Sequence, residues 1–273
     1  MKTSLKDKVI VITGGGGGIG RAAARALAGE GAKIALCGGN NLEKLTETAD
    51  IIKECGTQVF TLPGNLAAPD FLETCTDKIA RHFGQIDILI NNAGMAMRGT
   101  VLETSFEVMD AMVRINMLGS AYMTRSALPL LIASRGSVTF VSSLAALHGL
   151  PRIALYAASK SALTAFCQSL RAEVAPAGVH VGIVHVGFTE NDPDKVVYAA
   201  NGSLVPLAGR RNSQTQQETA KAIIRAVDRR KNVVVLTLLG KLAAFAYRGF
   251  PRLADWMICT FAAKSRQYAE NGN

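Results

Sequence analysis

Tyr156 and Lys160 stand four positions apart in Tyr156-Ala-Ala-Ser-Lys160, and Ser143 precedes the tyrosine by thirteen positions. On a helix, residues spaced by four share a face. An ammonium near a phenol favours the phenolate, so the phenol can exchange a proton well below its free pKa of about 10. That chemistry suits moving a proton on or off a carbonyl or alcohol oxygen while hydride moves elsewhere. By itself the pair is common on solvated helix faces, and it gains meaning from a second motif. Thr13-Gly14-Gly15-Gly16-Gly17-Gly18-Ile19-Gly20 follows the apolar run Val9-Ile10-Val11-Ile12 and precedes Arg21-Ala-Ala-Ala-Arg-Ala-Leu-Ala, a strong helix former. A glycine run can be a flexible linker, but a linker does not normally join a buried strand to a helix. In a strand–turn–helix context the glycines let the backbone approach a dinucleotide diphosphate at the positive end of the helix.

These residues must be positioned by alternating elements. Apolar runs predict strands near Lys8–Thr13, Lys33–Gly38, Gln58–Leu62, Asp87–Asn91, Ser137–Ser142, His180–His185 and Asn232–Thr237. Helical segments fall between them, including Leu42–Cys55, Phe71–Phe83, Phe106–Ser134, Leu155–Val174 and Thr215–Arg229. Alternation of this kind predicts an α/β domain with a mostly parallel sheet covered on both faces. Ligands then bind beyond the carboxyl ends of the strands. Gly14, Gly94, Ser143 and Gly187 all follow such ends and converge on one cleft.

As an ordered set, the motifs resemble the short-chain dehydrogenase/reductase (SDR) family. The matching residues are Thr13, Gly14, Gly18, Ile19 and Gly20 in the glycine loop, Asn91-Asn92-Ala93-Gly94 after the run Ile86 to Ile90, and Asn116 in Arg114-Ile-Asn-Met-Leu-Gly. Ser142-Ser143, Tyr156 and Lys160 complete the pattern, which runs from about residue 6 to about residue 200. The resemblance implies a single-domain Rossmann fold, a doubly wound seven-stranded parallel sheet, at residues 1–239. It also implies an NAD(P)-dependent oxidoreductase acting on CH–OH groups. Tyr156 would give its proton to a ketone oxygen, and Ser143 would hold that oxygen as charge develops. Lys160 would lower the tyrosine pKa and bind the nicotinamide ribose. Asn116 would hold a water linking the lysine to solvent. Cofactor contacts are expected from Thr13, Gly14, Gly18, Ile19, Gly20, Asn40, Asn65, Leu66, Asn92, Ala93, Gly94, Tyr156, Lys160, Gly187 and Thr189.

Departures from the family pattern bear on the cofactor. An acid at the end of the second strand would bind a ribose 2′-hydroxyl and repel a 2′-phosphate. This chain has Cys37-Gly38-Gly39-Asn40-Asn41 there, which favours NADP(H) over NAD(H), although Gly17 and Asn40 replace basic residues common in NADP-preferring relatives. Asn65 stands where many relatives carry aspartate. Val186-Gly187 replaces a usual Pro-Gly, and Gly187 still lets the backbone pass the nicotinamide. His148 and His185 lie near the cleft, but with the Tyr/Lys pair present neither is needed as an acid or base.

Composition fits this picture. The chain has 273 residues, 49% of them apolar, which excludes disorder and permits a substantial core. Its five scattered cysteines lack metal spacing, so no metal site is expected, and they read as reduced thiols of a cytoplasmic protein. The amino terminus lacks a signal-like apolar core, and no charge-free apolar run reaches membrane-spanning length. Residues 188–214 form the expected substrate lid. Its Val196, Val197, Tyr198, Leu204, Val205 and Leu207, with Met95, Met97, Leu147, Leu150 and Leu155, suggest a small hydrophobic substrate, steroid-like or a long-chain lipid.

Residues 240–273 form a basic amphipathic helical extension. Apolar Leu242, Phe245, Ala246, Phe250, Leu253, Trp256 and Met257 recur at helical spacing, with Lys241, Arg248 and Arg252 among them and Pro251 breaking the helix. From Gly209 onward, twelve Lys/Arg stand against four Asp/Glu, so +8 of the chain's +9 lies there. The extension suits packing over the cleft, packing on a second subunit, or peripheral contact with an anionic membrane. Nucleic-acid binding is not expected, because the charge comes without a recognition motif. The family resemblance implies a homo-oligomer, a dimer or tetramer. Two other functions fit the same residues: a 3-oxoacyl-carrier-protein reductase, whose acidic carrier would meet the basic tail, and a non-catalytic dinucleotide-binding sensor.

Overall fold

The structure, a computed structural model, describes residues 5–39, 41–207, 209 and 213–270. In chain order the strands are β1 (Val9–Thr13), β2 (Lys33–Cys37), β3 (Val59–Leu62), β4 (Ile88–Asn91), β5 (Met97–Arg98), β6 (Ser137–Ser143), β7 (His180–Val186), β8 (Val196–Ala199), β9 (Leu204–Pro206) and β10 (Val233–Val235). The helices are α1 (Gly18–Gly29), α2 (Leu42–Glu54), α3 (Pro69–Phe83), α4 (Phe106–Val113), α5 (Gly119–Ala133), α6 (Ala154–Val174), α7 (Gln216–Asp228), α8 (Leu238–Gly249) and α9 (Pro251–Glu270).

Seven strands form a wholly parallel sheet in the order β10-β7-β6-β4-β1-β2-β3. Each of the seven expected strands is present. Strands covered on both faces read as continuous apolar runs, and all five residues of β1 are buried. One core cluster joins β1, β4, β6 and β7 to α3, α5 and α6, including Leu89, Phe140 and Leu163. The other joins the opposite face to α1, α2 and α7, including Ile10, Leu27 and Ile223. The chain runs outward from β1 to β3, then crosses back to β4, so β1 and β4 flank the point where the strand order reverses. A crevice opens there beyond the carboxyl ends.

Three features refine the expected elements. The long helix expected over Phe106–Ser134 contains a π turn at Arg114–Leu118 between α4 and α5, and Asn116 sits in it. Such wide turns often mark functional sites. The lid contributes β8 and β9 to a small sheet in which β8 pairs with β5 and β9, which sequence periodicity did not reveal. Its signal was present: Asn201-Gly202 between apolar runs is a hairpin turn, with Gly202 at φ +87°. Finally, α8 and α9 are separated at Phe250, immediately before Pro251, whose ring cannot continue a helix.

Candidate active site

The glycine loop and the end of β4 are joined by hydrogen bonds. Thr13 Oγ1 accepts from the amides of Asn92 (3.0 Å) and Ala93 (3.1 Å). The Asn92 side-chain amide donates to the carbonyls of Thr13 (3.1 Å) and Gly14 (3.2 Å). Two glycines are dictated by this close approach. Gly14 has φ +68°, and a Cβ there would lie 2.9 Å from Ala93 Cα; a Cβ on Gly20 would lie 2.2 Å from the Gly14 carbonyl oxygen. The loop thereby brings the first amides of α1, the half-positive end of the helix, to the crevice. Ile19, in the first turn, packs against the core cluster on that side of the sheet.

Ser143 ends β6, and Tyr156 and Lys160 lie on α6, which the short turn Leu144–Ala146 brings back over the sheet. The Ser143 hydroxyl lies close enough to the Tyr156 phenol to pull its pKa down. Ser143 Oγ also accepts from the Ala145 amide at 3.1 Å, which fixes its rotamer. Ser142 points the other way and donates to the Lys160 carbonyl at 3.1 Å, as alternation along a strand requires. Lys160 is 5% exposed and donates to the Val141 carbonyl at 3.1 Å. Burial, and then the charge of Lys195, bring the lysine down to about 8. The lowering of the Tyr156 pKa expected from Lys160 is not seen. Burial is the larger influence and pushes the phenol up, while the Ser143 hydroxyl pulls it down.

Asn116 is fully buried and its amide is saturated. Its Oδ1 accepts from the Met95 amide at 2.9 Å, and its Nδ2 donates to the Met95 carbonyl (2.9 Å) and to Ser159 Oγ (3.0 Å). The side chain therefore pins the backbone beyond Gly94 to α6. Gly94 must be small: a Cβ would lie 2.8 Å from Asn116 Oδ1 and 3.0 Å from Lys160 Nζ.

The remaining expected contacts are spread around this centre. Leu66 packs against Gly38 at the end of β2, where a Cβ would lie 2.3 Å from it. Asn65 is exposed, and its Oδ1 accepts from the Ala67 amide at 2.9 Å. Asn40 lies outside the described residues. Gly187 faces Thr237, whose Cγ2 a Cβ would meet at 2.9 Å. The Thr189 hydroxyl is shared with Thr219 on α7 at 3.1 Å, so its hydrogen bond in this structure serves the lid. His185 Nδ1 lies 3.2 Å from the Ser143 carbonyl, and His148 bonds Asp255 at 2.9 Å, so both histidines have structural partners. Among the described residues no group of three His, Cys, Asp or Glu could hold a metal ion.

The apolar lining divides into two parts. Met97 is buried with Val108 and Met112, while Met95, Leu155, Tyr156 and Tyr198 are partly buried against them. A separate cavity of about 450 Å³ lies beneath the extension, between α9 and the start of α6, lined by His148, Leu150, Pro151, Ala154, Ile258 and Cys259 among others. Neither Tyr156 nor Ser143 lines it. One site residue escaped sequence reasoning: Asp192, whose carboxylate accepts from the Gly18 amide at 2.9 Å and pairs with Arg21. The turn signal Asp192-Pro193-Asp194-Lys195 is legible, but its target lies far back along the chain.

Comparison with known proteins agrees with the geometry. The family model for short chain dehydrogenases matches residues 8–202. The rat protein Dehydrogenase/reductase SDR family member 7B is 32% identical over 97% of this chain and 85% of its own length. The Arabidopsis thaliana 11-beta-hydroxysteroid dehydrogenase 1A is 33% identical, covering 93% of this chain and 75% of that protein. A solved short chain dehydrogenase/reductase from Burkholderia phymatum, in complex with NAD, superposes with a TM-score of 0.81 at 20% identity, over 92% of this chain and 96% of that one. With the fold, the ordered motifs and the convergent serine, tyrosine and lysine, the chain belongs to the short-chain dehydrogenase/reductase family of oxidoreductases acting on CH–OH groups.

Proposed function

We propose that this enzyme interconverts a hydrophobic ketone and a secondary alcohol with a nicotinamide dinucleotide, NADP(H) in preference to NAD(H). The observation that carries the reading is the meeting of Ser143, at the end of β6, with Tyr156 and Lys160 one turn apart on α6, beside a glycine loop at the start of a helix. The residues present fit a dinucleotide. Gly14 and Gly20 leave no room for side chains, and the Gly18 amide already donates to an anionic oxygen. The cofactor, when bound, supplies or takes the hydride.

In the reducing direction Ser143 holds the substrate oxygen by a hydrogen bond. Tyr156 transfers its hydroxyl proton to that oxygen as the carbon gains hydride, leaving a phenolate beside the Lys160 ammonium. Asn116 positions Met95 and Gly94 along the cofactor side of the cleft, and the resemblance adds a water relay to lysine. Met95, Leu155 and Tyr198 are partly buried, as Tyr156 is, against the apolar cluster of Met97, Val108 and Met112, surroundings that favour a bulky apolar substrate, and the 11-beta-hydroxysteroid dehydrogenase relatives support a steroid-like one. The absence of an acid at Cys37-Gly38-Gly39 supports NADP(H).

The enzyme is further proposed to be a cytoplasmic homodimer joined through α5 and α6, with its extension touching anionic membrane. Phe245 (72% exposed) and Trp256 (64% exposed) carry that last reading. The test is oxidation of NADPH and NADH against steroid, long-chain and acyl-thioester ketones by the wild type and Tyr156→Phe. Turnover of a free apolar ketone that falls by about 10²-fold or more in the variant, with dinucleotide binding retained, supports the reading. Turnover of carrier-bound thioesters alone would replace it with an acyl-carrier reductase. Dinucleotide binding with no turnover in either direction would leave a sensor.

A further inference from the structure

The glycine loop holds an anion that belongs to the chain itself. Asp192 lies beyond β7, 174 residues from Gly18, yet its Oδ2 accepts from the Gly18 amide at 2.9 Å. Its Oδ1 accepts from Arg21 Nη2 at 2.9 Å and from Gln216 Nε2 at 2.8 Å. The carboxylate is 13% exposed. Gly17 admits it: the backbone there is extended, and a Cβ would come within 2.9 Å of Asp192 Oδ2. Next to it the lid makes a second ion pair, Asp194 with Lys44 on the first turn of α2. The Lys195 amide donates to the Asp192 carbonyl at 3.0 Å, closing a tight turn around Pro193. One short lid segment is thus fastened to the starts of both α1 and α2.

The first amides of α1 are the groups a glycine loop offers to a diphosphate. A carboxylate and a diphosphate oxygen ask for the same donors: backbone N–H and guanidinium N–H. Burial pushes the Asp192 carboxyl up, but the hydrogen bonds from Gln216 and the Gly18 amide and the charges of Arg21 and Lys44 outweigh it, so the group stays anionic at neutral pH. A dinucleotide cannot share the Gly18 amide and the Arg21 guanidinium with Asp192 without loosening both.

We propose that Asp192 is an intramolecular competitor of the cofactor diphosphate, a latch that keeps the lid on the glycine loop until a dinucleotide displaces it, after which Arg21 binds the phosphates. The inference rests on the dinucleotide reading above. It couples cofactor entry to lid release, and it lowers apparent cofactor affinity by the fraction of molecules latched. The latch also explains how a lid lysine, Lys195, comes close enough to Lys160 to lower its pKa.

The experiment is calorimetric titration of the full chain and of Asp192→Asn with NADP⁺, NAD⁺ and inorganic pyrophosphate, together with hydrogen exchange of peptides spanning residues 188–196 in the wild type. The expected result is binding of all three about tenfold tighter in the variant, and faster lid exchange in the wild type when NADP⁺ is added. Equal or weaker binding in Asp192→Asn overturns the latch. If the variant does not fold, the wild-type exchange decides: slower lid exchange with NADP⁺ would show Asp192 clamping the bound state instead. If neither protein binds a dinucleotide, the cofactor reading falls and takes the latch with it; if both bind equally, only the latch falls.

Discussion

Thr13 and Asn92 are joined by two hydrogen bonds, both donated by Asn92: its backbone amide to Thr13 Oγ1 at 3.0 Å and its side-chain amide to the Thr13 carbonyl at 3.1 Å. They close the gap between β1 and β4, where the crevice opens. Because Thr13 Oγ1 also serves the Ala93 amide, Thr13→Val would leave two amides without their acceptor at nearly unchanged volume. A loss of about 1–3 kcal/mol in urea unfolding is expected, with weaker dinucleotide binding.

Asn116 has no freedom left. Asn116→Ala orphans both polar groups of Met95 and removes the donor to Ser159 Oγ, so stability should fall by about 2 kcal/mol or more. Thermal melts measure the fall. If the residue served only a water relay, stability would stay unchanged while turnover dropped.

The two ends of α1 make a matched pair of tests. Gly20→Ala drives a Cβ into the Gly14 carbonyl, so dinucleotide binding should be lost by calorimetry. Gly29 meets nothing within 4 Å, so Gly29→Ala should be neutral or stabilising by up to about 1 kcal/mol. Equal effects at both positions would mean the loop tolerates more than its geometry allows.

Lys160 ties the catalytic site to pH. Its folded pKa of about 8 lies below the ordinary 10.5, because of burial and then Lys195. The turnover rate should fall as pH rises past about 8, since a neutral amine no longer favours the phenolate. Lys195→Met should move that limb to higher pH. Stability runs the other way. Between the two values the unfolded chain binds more protons, so the cost of burying the cation is full below about 8 and is relieved as pH rises toward 10.5, by at most about 3 kcal/mol. Pressing unfolding measurements into that window checks the sign.

The extension separates stability from surface contact. Trp256 and Phe245 are exposed, so alanine at both should leave stability within about 0.5 kcal/mol. Co-sedimentation with anionic vesicles should fall clearly in the double variant. Unchanged sedimentation would remove the membrane from the proposal and leave α9 as a brace on His148. Among the described residues no helix is long and apolar enough to cross a membrane.

The parallel sheet, the glycine loop and the serine–tyrosine–lysine spacing were legible in the sequence because each is local. A buried strand is a continuous apolar run, a glycine turn is contiguous, and a four-residue helical spacing needs no partner to define a face. Tertiary structure alone decided what those groups meet. Asp192 reaches Gly18 across 174 residues, Met97 turns out to be core instead of cleft lining, and Asn116 spends its amide on Met95. The direction of the Tyr156 shift was likewise undecidable from spacing: Lys160 stands where a neighbouring charge would lower the phenol, but burial raises it more. Periodicity encodes which face of an element is apolar, whereas desolvation and long-range hydrogen bonds depend on what the fold packs against that face.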